Sequence, residues 1–173
     1  LRPQVLHAAT DHRNGSVALA VRERTNTPFV YEVRGFLEET WVSRDPRRVG
    51  SERHRMQRER EAQIMREADA VVTLAETMAA EIVERGVPRE RIYLAPNAVD
   101  DSLLTAEFDG AALRRRYGIG DDEIVVGSVS SIVAYEGFAT LLDAAALLRE
   151  AGTPVRVLLV GDGAERPALL EQV

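Results

Sequence analysis

Short apolar runs rich in β-branched residues, set apart by helix-length polar segments, constrain this chain more than any other feature. They are Pro3–Ala8, Pro28–Val33, Ala70–Leu74, Ile92–Ala95, Glu123–Val129 and Val155–Val160. Alternation at this spacing is the pattern of βαβ units, in which right-handed crossovers make neighbouring strands parallel. The fold class expected is therefore α/β, with Rossmann-like parallel sheets and flanking helices. Ala70-Val71-Val72-Thr73-Leu74, almost continuously apolar, reads as a strand buried on both faces.

The segments between the runs carry helix signals. Asn14 or Ser16 is placed to cap a first helix reaching about Arg24. From Arg34 to Gly50 the pattern lapses into a long connection. Ser51-Glu52 then opens a charged helix to Ala68, whose apolar positions Met56, Ile64 and Met65 make a narrow stripe beside a solvated Arg/Glu face. Glu76–Arg85 is a helix closed by Gly86, with Pro88 beyond it. Ile92–Ala95 reads as a short buried strand broken at Pro96-Asn97, which divides the chain into 1–100, a connecting segment 101–122 with a helix at Asp109–Tyr117, and 123–173. Beyond the break, Glu136–Glu150 is amphipathic, with Phe138, Leu141, Leu142, Ala145 and Leu148 on one side. Gly161-Asp162-Gly163 turns into a final helix. Both ends look truncated, and two strands with two helices cannot bury both sheet faces. Self-association through the cut sheet is one expected consequence.

Composition narrows the function classes. A net charge of -6 argues against a dedicated nucleic-acid binder. Without cysteine there is no thiol nucleophile or zinc-thiolate site, and every one of the 22 basic residues is Arg, so Schiff-base chemistry is excluded. No apolar run approaches the ~20 residues of a membrane helix, and Leu1–Gln4 does not read as a signal peptide, so a cytoplasmic location is expected.

In open parallel sheets ligands gather at the loops beyond the carboxyl ends of strands. Those loops carry His7, Asp11, Arg13 and Asn14, then Glu32, Arg34 and Gly35, Asn97, Ser128–Gly137, and Gly161–Gly163. GSVSSIVAYEG and GDG lead into helices whose free amides suit an anion such as phosphate, although glycine also serves tight βα turns with no ligand. Arg34 suits phosphate or carboxylate recognition, or pairs with Glu32, Glu38 or Glu39.

HAATDHRNG, PFVYEVRGF, ADAVVTLAETMAAEIVERGVPRERIYLAPNAVD, the YEG turn and VRVLLVGDGAER, in that order, resemble the retaining glycosyltransferases of family 4, with the two-domain GT-B fold. The resemblance covers nearly the whole chain. It implies a partial acceptor-side domain over 1–100 and the first part of a donor-side domain over 123–173. It implies transfer of a sugar, with retention and without a metal or other cofactor, from a nucleotide diphosphate sugar to a saccharide or lipid-linked acceptor. His7 and Arg34 would be catalytic, and Asn97, Ser130, Ser131, Glu136, Gly137, Gly161, Asp162 and Gly163 would hold the donor; the plainer alternatives are a satisfied edge histidine for His7 and stabilisation of the turn alone for Asn97. Asp11, Arg13 and Asn14 are acceptor ligands or merely loop and cap residues. The family's G-R-x-x-x-x-K-G reads here with Ser131 for the Arg and Glu136 for the Lys, so both diphosphate-gripping cations are replaced. Glu136 then reads as a helix cap, with amides near Gly137 and the Ser128, Ser130 and Ser131 hydroxyls left for phosphate. Ala98 stands where the family has Gly. The family's glutamate pair that holds the donor sugar would lie beyond Val173. Arg44–Arg60 is a solvated helix or, for a lipid-linked acceptor, a peripheral contact with anionic membrane.

Two rivals remain at this point. A nucleotide-sugar epimerase or dehydrogenase also uses βα glycine turns, but no G-x-G-x-x-G follows any strand. A non-catalytic binding scaffold would explain the replaced cations.

Overall fold

Four strands of the computed structural model, β1 (Leu6–Ala9), β2 (Phe29–Val33), β3 (Ala70–Thr73) and β4 (Ile92–Leu94), form one parallel sheet in sequence order. A second sheet pairs β5 (Ile124–Val129) with β6 (Val155–Val160), also parallel. The structure describes residues 3–173; Leu1 and Arg2, which open the stretch read as no signal peptide, lie outside the described residues. The chain divides into two units, Leu1–Asp100 and Asp101–Val173.

In the first unit β1 leads through Asp11 into α1 (His12–Thr25). Asp11, and not Asn14 or Ser16, is the N-cap: its carboxylate accepts from the Arg13 amide at 3.2 Å, which places Asn14 and Ser16 inside the first turns. The stretch expected as a loop after β2 holds a helix, α2 (Leu37–Ser43), and a 3-10 turn at Pro46–Arg48. Glu38 and Glu39 in its first turn favour that helix through the dipole. α3 (Glu52–Glu67) is capped by Ser51 as expected, and α4 (Glu76–Glu84) is closed by Gly86 at φ 94°.

Burial alternates along β2: Phe29, Tyr31 and Val33 are fully buried while Val30 and Glu32 face the half-exposed side. On the buried side lie Leu19 of α1, Ile64 and Met65 of α3, and Ala79 and Ile82 of α4. The close approach of α1 requires Gly15, since a Cβ there would stand 2.4 Å from Ile64 and 3.1 Å from the Tyr31 ring. β3 follows the same alternation and is not buried on both faces: Val71 and Thr73 are buried, Ala70 and Val72 only partly. β4 is also less buried than expected. Only Ile92 is covered, and Tyr93 and Leu94 are exposed because this strand is the sheet edge. On α3, Met56 is exposed while Glu61 and His54 are buried, so the face read as solvated contributes to the interior.

The second unit begins with α5 (Asp101–Thr105), which the sequence reading missed, and α6 (Gly110–Tyr117), capped by Asp109 and ended by Gly118 at φ 62°. α7 (Phe138–Glu150) and α8 (Arg166–Gln172) flank the two-stranded sheet. Their shared cluster is Ile132, Phe138 and Leu169 with Leu141, Leu142 and Leu159 half-buried around it. Leu148, expected on the buried side, is exposed.

Candidate functional site

At the carboxyl ends of β1, β2 and β4 the first unit gathers a polar cluster. Ala9 lies opposite Glu32 in the parallel register, so His7 and Glu32 project from the same sheet face one step apart. His7 Nε2 stands 3.0 Å from Glu32 Oε2. The other carboxylate oxygen, Oε1, accepts from Arg34 Nη1 at 3.2 Å, and Arg34 Nη2 donates to Asn97 Oδ1 at 3.4 Å. Thr10 ties the backbone beneath: its amide donates to the Glu32 carbonyl at 2.9 Å and its hydroxyl accepts from the Arg34 amide at 3.2 Å. His7, Arg34 and Asn97 were singled out from sequence and are brought together here. Glu32, which joins the first two, was placed among the ligand-side loop residues after the second strand and as a salt-bridge partner of Arg34, but was given no role toward His7. Its side chain is 20% exposed against 57% for His7 and 56% for Arg34, so an inner carboxylate holds two outer side chains.

The neighbouring loop residues have local partners. Asp11 caps α1 and lies 3.7 Å from Arg13 Nη1, and Asn14 Nδ2 donates to the Ala9 carbonyl at 3.1 Å. The N-terminus of α1 is also occupied from within, because the His12 amide donates to Glu61 Oε1 while Tyr31 Oη donates to Glu61 Oε2 at 2.7 Å. Burial first, and then the bond to Glu61, pushes the Tyr31 phenol far above its ordinary range. Sequence reasoning placed Glu61 among surface charges. The alternation of Tyr31 toward the buried side of β2 was the available signal that a polar partner must lie inside.

A second polar network joins α2, α3 and α4. Arg85 Nη1 pairs with Glu38 Oε1 at 2.5 Å with both side chains almost fully buried, and its Nε reaches Glu81 at 2.9 Å. Arg58 bridges Glu81 and Glu39, and the Arg85 guanidinium stacks 4.1 Å over Phe36. The two guanidiniums hold the Glu81 carboxyl below its usual range against the opposing effect of burial. His54 completes it: the Gly50 amide donates to Nδ1, so Nε2 carries the hydrogen that faces Glu39 at 3.2 Å.

In the second unit the two glycine loops pack on each other. The Ile132 amide donates to the Asp162 carbonyl at 2.9 Å, the Glu165 amide to the Ile132 carbonyl at 3.1 Å, and the Ser130 amide to the Val160 carbonyl at 3.1 Å. A Cβ at Gly161 would lie 1.9 Å from the Ser130 carbonyl oxygen, and one at Gly163 2.1 Å from that of Ile132. Both glycines are thus required by backbone packing. The Gly163 amide donates to Asp162 Oδ1 at 2.8 Å, so the turn's own carboxylate holds an amide expected for phosphate. Glu136 is not the cap of α7. It ends a 3-10 turn, Ala134–Glu136, and Gly137 at φ 74° separates that turn from the helix, whose first turn has no side-chain cap. Ser131 and Glu136 are exposed, and Ser130 is half-buried.

The family model described as "Glycosyl transferase 4-like domain" matches residues 1–98, more than half of the chain. The chain belongs to this glycosyltransferase family. Its relatives include alpha-D-kanosaminyltransferase of Streptomyces kanamyceticus, 32% identical over 112 residues, covering 63% of this chain and 29% of that enzyme. Another is D-inositol 3-phosphate glycosyltransferase of Stackebrandtia nassauensis, 32% identical over 123 residues, or 65% of this chain and 27% of the relative. The chain thus spans less than a third of either relative. Among solved structures it is similar to Anabaena HepE in complex with UDP and glucose, with a TM-score of 0.74 at 19% identity over 98% of this chain and 43% of that one. The HepE complex with UDP-glucose gives the same TM-score. The architecture is that of GT-B glycosyltransferases, as expected. In this member of the family the polar cluster of His7, Glu32, Arg34 and Asn97 falls entirely within the matched family domain. No helix among the described residues is long and apolar enough to cross a membrane.

Proposed function

We propose that the protein to which this chain belongs transfers a sugar from a nucleotide diphosphate sugar to a saccharide or lipid-linked acceptor, with retention of configuration. The family match over residues 1–98 carries this reading, and the His7–Glu32–Arg34–Asn97 cluster supports it. Related solved structures hold UDP, glucose or UDP-glucose, which supports a nucleotide-sugar donor. In the proposed mechanism no metal or other cofactor takes part, and Arg34 stabilises the departing diphosphate electrostatically. His7 contacts the donor sugar or phosphate. Ser130, Ser131 and Gly137 supply neutral hydrogen bonds where cations are replaced, while Asn97 orients Arg34. The arginine-bearing stretch at Arg44–Arg60 would meet an anionic lipid surface if the acceptor is lipid-linked.

A second reading, a binding scaffold of glycosyltransferase ancestry, is favoured by two observations. Exposed Ser131 and Glu136 stand where cations would grip a diphosphate, and Asp162 takes up the Gly163 amide. Release of nucleotide diphosphate by the full-length gene product across a panel of sugar donors separates the two. Turnover with one donor is expected; binding of nucleotide diphosphates without turnover supports the scaffold, and no turnover with any donor defeats the transferase reading.

A further inference from the structure

We infer that Glu32 is a positioning residue for sugar transfer, acting through His7 and Arg34 together; this rests on the transferase reading above. Three observations carry it. One carboxylate meets both side chains through different oxygens, Oε2 toward His7 Nε2 at 3.0 Å and Oε1 from Arg34 Nη1 at 3.2 Å. Glu32 is itself fixed, since its carbonyl accepts from the Thr10 amide and its strand is hydrogen-bonded on both sides. The two side chains it holds are more than half exposed, and Arg34 directly follows the carboxyl end of β2, where ligands gather in this class of fold.

The geometry sets the chemistry of each partner. A carboxylate only accepts, so His7 Nε2 carries a hydrogen and the neutral ring presents Nδ1 as its acceptor nitrogen. Without Glu32 the two ring tautomers would compete freely. The same carboxylate takes one end of the Arg34 guanidinium while Asn97 takes another N–H, which fixes the plane of the fork and directs its remaining donors. A half-exposed arginine held at one point only would lose that direction. Glu32 therefore presents a hydrogen-bond acceptor and an oriented cation side by side, a pair suited to a sugar hydroxyl next to a phosphate.

Glu32→Gln tests this in the full-length protein, because it keeps size while offering one acceptor and one donor to two donating neighbours. The expected result is a melting temperature within about 2 °C of wild type, turnover reduced about 10–100-fold as for other residues that orient a functional group, and loss of the Nε2–H signature of His7 in nitrogen NMR. Combined with His7→Ala, Glu32→Gln is expected to cost clearly less than it does alone, since positioning through His7 is non-additive. Unchanged ring-nitrogen spectra, or strictly additive losses, overturn the positioning role even in an active enzyme. A folded wild-type protein with no donor turnover would instead sink the transferase reading, and the spectrum would still judge whether Glu32 sets the His7 tautomer.

Discussion

The two units contain similar elements and differ in how well each buries them. In the first, α1, α3 and α4 cover a four-stranded sheet, and Phe29, Tyr31, Val33, Met65 and Ile82 are fully buried. In the second, two strands and two flanking helices enclose a small cluster of Ile132, Phe138 and Leu169, with Ala145 and Val155 buried besides, while Val129 and Leu147 are 84% and 66% exposed. Val129 on β5 and Leu147 on α7 thus leave apolar surface uncovered on both the sheet and its flanking helix. The comparison teaches that the first unit can support buried charge and a fixed polar cluster from its own packing, whereas the second draws its order from one small hydrophobic knot and a pair of interlocked glycine loops.

The strongest way to break that comparison is to remove a buried charge from the first unit. Arg85→Ala would strand the buried Glu38 and leave Glu81 with Arg58 alone, and loss of one partner of a buried pair costs about 3–5 kcal/mol. Thermal unfolding with hydrogen exchange resolved by segment should show the first unit's strands losing protection. Leu147→Ala in the second unit, by contrast, should change stability by no more than about 0.5 kcal/mol. Equal losses from the two substitutions would show that the difference in burial has no energetic weight. The same exchange experiment on wild type should find Val125–Val160 less protected than Phe29–Val33 and Ala70–Thr73; full protection in a monodisperse monomer would contradict it.

Steric fit should have the next largest effect. Gly15→Ala places a methyl group 2.4 Å from Ile64 in the middle of the α1–α3 contact, and overpacking of this kind costs about 1–3 kcal/mol. Gly163→Ala sharpens the comparison from the other side. Its Cβ would meet the Ile132 backbone oxygen at 2.1 Å, so it should disturb the second unit at the one place where that unit is tightly packed. Circular dichroism melts of both variants, read against Leu147→Ala, test whether the knot at Ile132 holds the second unit together.

The strand and helix order was legible because hydrophobic periodicity and glycine stops record it directly, as at Ser51, Gly86 and Gly118. His7, Arg34 and Asn97 were legible because strand ends in parallel sheets are where ligands meet. What escaped depended on side chains from distant segments. Glu61 looked like any surface glutamate in an Arg-rich helix until Tyr31 and the His12 amide gave it partners from residues 30 and 49 positions away. Glu32 was read as a salt-bridge partner, but its dual grip on His7 and Arg34 requires the register of β1 against β2. Glu136 was assigned to a helix start because periodicity cannot detect the left-handed Gly137 that delays the helix to Phe138. Burial was overestimated wherever an apolar run fell on an edge strand or on a face with nothing packed against it, as at Leu94 and Leu148.

The smallest effect expected is electrostatic, and it separates the units by pH. In the first, Arg22 donates twice to the Asp69 carboxylate at 2.9 and 2.8 Å and the Phe29 amide donates at 2.8 Å, and together they hold the Asp69 carboxyl below its usual range, the Arg22 bonds contributing most. Its stabilisation is complete above the unfolded value of about 3.9 and is lost as pH falls through the lower folded value. Because the pair is partly exposed, Asp69→Asn should remove only about 0.2–1 kcal/mol at neutral pH and flatten the stability profile below about pH 4. In the second unit Glu123 is lowered first by the Gly120 amide and then by Arg156, so it too loses stabilisation toward acid. Exchange measured at successive pH values should therefore show Asp69→Asn changing the acid response of β2 and β3 while leaving that of β5 and β6 unaltered, and Glu123→Gln doing the reverse. A shared acid response in both variants would mean that the two units unfold as one, and that their unequal packing does not divide them energetically.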